Sequence, residues 1–138
     1  MTSRTDGLGA INTAFANNIL QGGGAAATIS GIYTGEVWEG NIIWQTAGAG
    51  AIPAGTYDEI DPVLKGSAHG VLRPHPHDSP AINSAVGNHP IVLLDLDGQQ
   101  RTEPKDRGAD EVSTAPKTAK FLTEGDLMRL MNRRDDCE

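Results

Sequence analysis

The stretch Thr28-Ile-Ser-Gly-Ile-Tyr-Thr-Gly-Glu-Val-Trp38, followed two residues later by Asn41-Ile-Ile-Trp-Gln-Thr46, decides the fold class. It is rich in β-branched and aromatic residues and is broken by glycine at intervals too short for a helix. Along Thr28 to Trp38, the residues Ile32, Thr34, Glu36 and Trp38 fall on one side of an extended chain and Tyr33, Gly35 and Val37 on the other, a mixed strand rather than a two-faced one. Runs of the same kind follow at Gly55 to Ile60, His69 to Leu72 and Pro90 to Leu96, with turn signals at Gly48 to Gly50, Pro53 to Gly55 and Asp97-Gly98. Residues 25–98 therefore read as a small β-sandwich, barrel or jelly roll, with spacing too irregular for a repeat array. Ile91-Val-Leu-Leu94 is the most apolar run and reads as a central strand buried on both faces.

Working outward, residues 1–24 read as an arm or a short helix, because Leu8, Ile11, Phe15 and Ile19 recur at helical spacing while Gly7, Gly9 and Asn12, Asn17 and Asn18 oppose it. Residues 99–120 hold nine charged residues, two prolines and Val112 as the lone large aliphatic, the composition of a polar linker or exposed arm. Residues 121–138 read as a short helix: Thr123 and Asp126 make a variant capping box, and Leu127, Met128, Leu130 and Met131 form an apolar stripe. Arg129, Arg133 and Arg134 sit toward its C-terminal end, where positive charge is favoured. A helix this short needs a surface to dock on.

The chain has 138 residues, enough for one modest core, and only six aromatic residues with 17 Gly and 8 Pro. Its formal net charge of −7 carries no basic footprint for nucleic acid. No apolar run approaches the roughly 20 residues of a membrane span, and no signal-peptide pattern opens the chain. The single Cys137 allows neither an internal disulfide framework nor a cysteine-based zinc site, which fits a protein made in a reducing cytosol.

The motifs that carry chemistry elsewhere are incomplete here. His75 and His77, with Asp78 and His89, have a metal-ligand spacing, but Pro74 and Pro76 bias the segment toward polyproline II, in which the two rings diverge. A cupin motif would need a Glu after His77, and the metallo-β-lactamase pattern an Asp where Ser79 stands. Ile52 to Tyr57 resembles a segment of peptidoglycan-modifying enzymes, yet Cys137 lies among acids that would raise its thiol pKa. Gly22 to Gly24 lacks the phosphate-loop spacing and lysine. Asp95-Leu-Asp-Gly98 begins like a calcium loop without its later ligands and reads as a turn. No catalytic residue, metal or cofactor is expected. Trp38 and Trp44, on adjacent expected strands, read as core or interface anchors, with a sugar-stacking platform as the alternative.

In Gly22 to Gly35, Ile52 to Ile60, Val63 to Leu72 and Pro90 to Asp97, covering roughly the first 100 residues, the chain resembles the jelly-roll decoration or cementing proteins of tailed-bacteriophage heads. The resemblance implies a non-enzymatic structural virion protein, made in the host cytoplasm and seated on the capsid exterior. It would bridge neighbouring major capsid protein subunits as a homodimer or other symmetric homo-oligomer. Residues 99–138 are then expected to make the main contacts, with Leu127, Leu130 and Met131 as apolar anchors and Arg129, Arg133 and Arg134 as charge partners. The alternatives are a small carbohydrate-binding β-sandwich using Trp38 and Trp44, and a metal hydrolase built on His75 and His77.

Overall fold

In the computed structural model, which describes residues 10–66 and 70–119, the chain is mainly β, with short strands and no helix among the described residues. The strands are β1 (Ala14–Ala16), β2 (Ile19–Gln21), β3 (Val37–Glu39), β4 (Asn41–Trp44), β5 (Tyr57–Glu59), β6 (Leu64–Gly66) and β7 (Leu72–Pro74). β1 pairs with β3, and β4 lies between β2 and β5, all in parallel. Only β6 and β7 pair antiparallel.

The parallel pairs share one register. Ile11 faces Thr34, Ala14 faces Val37, Ile19 faces Ile42 and Ala27 faces Gly50, each 23 residues apart. Residues 11–33 and 34–56 are thus successive turns of a short coil, and β5 begins a third, closer turn with Tyr57 opposite Asn41. A jelly roll or sandwich uses antiparallel strands; this body is wound as a parallel coil with a repeat the irregular turn signals concealed. Residues 10–24, expected as an arm or helix, contribute β1 and β2 to the first turn. Their asparagines sit at corners and in a hydrogen-bonded ladder, which a helix offers no use for.

The corners explain the composition. Backbone φ is positive at Asn12, Asn17 and Gly22 in the first turn and at Gly35, Gly40 and Gln45 in the second, so a corner falls every five residues and again 23 later. Asparagine tolerates this left-handed conformation better than most residues, and glycine adopts it freely. A Cβ on Gly40 would also collide with Asn17 Oδ1 and lie 2.6 Å from Val86 Cγ2. Asn17 is held there by two 2.9 Å bonds, Nδ2 donating to the Val86 carbonyl and Oδ1 accepting the Val86 N–H. Gly40→Ala is expected to cost about 2–3 kcal/mol in urea unfolding, combining left-handed strain of about 1–2 kcal/mol with weakening of the Asn17 pair. Gly22→Ala, at an open corner with no atom within 4 Å, should show the strain alone.

Alternation along β4 places Asn41 and Ile43 on one face and Ile42 and Trp44 on the other. Ile42 and Ile43 are both fully buried, so β4 is the strand covered on two sides. Asn41 is buried as well. Its Oδ1 accepts from Asn18 N at 3.1 Å and Asn18 Nδ2 at 2.9 Å, and its Nδ2 donates to the Phe15 carbonyl at 2.8 Å, tying the first turn to the second.

Residues 61–66 and 70–119 wrap the coil with little regular structure and reverse two expectations. Ile91, Val92, Leu93 and Leu94 are 89, 42, 56 and 56% exposed, the opposite of a buried central strand. Residues 99–119 are no free arm, since Gln99, Arg101, Asp106, Asp110 and Glu111 are buried. Both inversions have one cause: the inward carboxylates find cations and backbone N–H groups inside, so the polar edge of the chain turns inward. The expected helix over 121–138 lies outside the described residues. No helix among the described residues is long and apolar enough to cross a membrane.

Candidate functional site

The unusual local structure is a hairpin with its polarity reversed. Leu94 bridges Gln100 in antiparallel fashion, Asp95 N–H donates to the Gln99 carbonyl at 3.0 Å, and Arg101 N–H donates to the Leu93 carbonyl at 2.8 Å. Asp95, Asp97, Gln99 and Arg101 alternate into the interior, while Ile91 to Leu94 stand outside.

Each inward carboxylate has its partners. Asp95 Oδ1 accepts the N–H of Asp97 at 2.9 Å and of Gln99 at 2.8 Å, and its Oδ2 accepts Glu111 N–H at 3.2 Å. Arg73, on β7, donates to both oxygens of Asp97 at 2.8 Å and also to Asp110 Oδ1. Lys117 Nζ lies 2.5 Å from Asp97 Oδ2. Below this group, Asp106 accepts the N–H of Asn83 at 2.7 Å and of Val112 at 2.6 Å, and Arg101 donates to the Asp106 carbonyl at 3.0 Å. Two cations and many backbone donors thus offset the cost of taking these charges out of water.

The electrostatics within the cluster are divided. The Arg73 hydrogen bond holds the Asp97 carboxyl below the ordinary carboxylate range and raises the Arg73 guanidinium in turn. Burial pushes Asp110 up, against the attraction of Arg73, with the negative charge on Asp97 and Asp95 adding to the rise. Asp95, Asp97 and Asp110 each offer a carboxylate oxygen within 4.8 Å of the others, which is a geometry a cation can use. Arg73 is the cation that uses it. Both oxygens of Asp97 and one of Asp110 are committed to its guanidinium, and those of Asp95 to backbone N–H groups, so the donor set is consumed by the fold.

Beside the hairpin runs an open groove of about 690 Å³. Ala14, Ile19 and Gln21 of the first turn form one wall, and Val86, Ile91 and Val92 the other. A second, smaller apolar cavity of about 290 Å³ lies at the mouth of the coil, lined by Phe15, Leu20, Ile29, Tyr33, Trp38 and Ile52.

The residues singled out from the sequence are dispersed. Trp38 stacks on Phe15, with ring centroids 4.5 Å apart and planes 13° from parallel, and it faces the mouth of the coil. Trp44 is on the opposite side of the wall from Asn41 and Ile43, so the two tryptophans do not share a platform. His75 Nδ1 lies 3.0 Å from Asp78 Oδ2, and the His75 and His77 rings are 6.1 Å apart, edge to face. His89 Nε2 is 3.0 Å from Glu39 Oε1, committed to a different contact. Among the described residues no third His, Cys, Asp or Glu converges with His75 and His77. Leu127, Arg129, Leu130, Met131, Arg133 and Arg134 lie outside the described residues. Sequence reading missed Arg73, Asp97 and Asp110 as a unit; the alternation of Asp95, Asp97, Gln99 and Arg101 beside the apolar run was the available signal.

No protein-family model, curated protein or solved structure matches this chain.

Proposed function

We propose that this chain is a structural assembly protein, a non-enzymatic cementing or decoration component of a tailed-phage capsid that binds the outer face of the shell across neighbouring capsid subunits. The observation that carries this reading is the outward display of Ile91 to Leu94. The most apolar run in the chain is exposed on a scaffold of buried ion pairs, while the buried apolar core among the described residues is little more than Ile42, Ile43, Ile52 and Ala81 with Pro62. So small a core with so much apolar surface outside it is the balance expected of a protein whose folded state is completed by contacts with others. A bound chain touching several subunits stabilises the shell by mass action and by multivalent attachment.

The jelly-roll form belongs to the resemblance, and the role does not require it. It requires a body that holds an apolar segment outward at a fixed angle, which the Arg73 cluster does. Co-sedimentation with purified heads of its own phage tests the role, with copy number per head measured by densitometry. Hundreds of copies per head are expected. Leu93→Asp, at a half-exposed position, should lower occupancy at least tenfold without loss of folding; full occupancy by this variant, or no binding by the wild type, would reject the reading.

A further inference from the structure

We draw no further inference here: the strongest candidate, the open groove of about 690 Å³ between the first coil turn and residues 86–92, is an apolar-walled cleft for which nothing in the structure shows what covers it.

Discussion

Arg73→Met should destabilise the protein by about 3–5 kcal/mol, the cost of leaving a buried charge without its partner. The side chains of Asp97 and Asp110 are 3 and 8% exposed, and Arg73 is the cation shared between them. Lys117, at 59% exposure, cannot replace a bidentate guanidinium. The pH dependence identifies the mechanism. In the wild type the depressed pKa of Asp97 contributes stability that is present above the ordinary carboxylate range and is lost as pH falls through the folded value. Asp110 works the other way, because its raised pKa means the charged form opposes folding and protonation relieves it. Removing Arg73 takes away the largest cause of the Asp97 depression and leaves burial, which raises both carboxyls, opposed by Lys117. The deficit of the variant should then be greatest at neutral pH and shrink as pH falls below about 5. Urea unfolding at pH 7 and pH 4.5 measures this, and adding Asp97→Asn and Asp110→Asn should restore part of the loss at pH 7. An equal deficit at both pH values would mean that packing, not charge, is what Arg73 supplies.

Ile42→Ala should cost about 2–5 kcal/mol, toward the upper end because so few buried apolar neighbours are available to close the cavity. Ile42 is fully covered on the central strand β4. Leu93→Ala, by contrast, should change stability by no more than about 0.5 kcal/mol, since the side chain is 56% exposed. The pair is a direct comparison of two apolar runs similar in composition. A large loss at Leu93 with a small one at Ile42 would put the core where hydrophobicity alone places it and reject the inverted hairpin.

Much of the coil was legible. Thr28 to Val37 and Asn41 to Thr46 read as strands from their β-branched and aromatic residues; β3 starts where the first run ends, and β4 lies within the second. The corners were written in the sequence too, as Asn12, Asn17 and Gly22 and then Gly35, Gly40 and Gln45, but this five-residue spacing was masked by a competing pattern. Ile11, Phe15 and Ile19 are four apart, which suits a helix, whereas in the coil Phe15 lines the mouth and Ile19 faces Gly108 on the outside. Apolar spacing does not distinguish one face of a helix from two walls of a coil meeting at a corner.

The inverted hairpin was harder to read for a physical reason. Hydrophobicity orders Ile91 to Leu94 inward, and it is overruled only because Asp95 and Asp97 find Arg73, Lys117 and backbone donors. Arg73 is 24 residues from Asp97 and 37 from Asp110, and no local pattern announces that they meet. The charges of 99–119 were likewise legible as charges, while their pairing was a property of the folded chain.

The 23-residue register also sets an order of events in folding. Each coil turn closes by pairing residues a fixed short distance along the chain, whereas the wrapping segment docks through Asn17 with Val86, Asp58 with Arg107 and Glu39 with His89, separations of 69, 49 and 50 residues. Contacts between residues closer along the chain have the smaller closure entropy to overcome. The coil is therefore the part that forms first and exchanges its amide hydrogens last, and the wrap is a later, separately releasable layer.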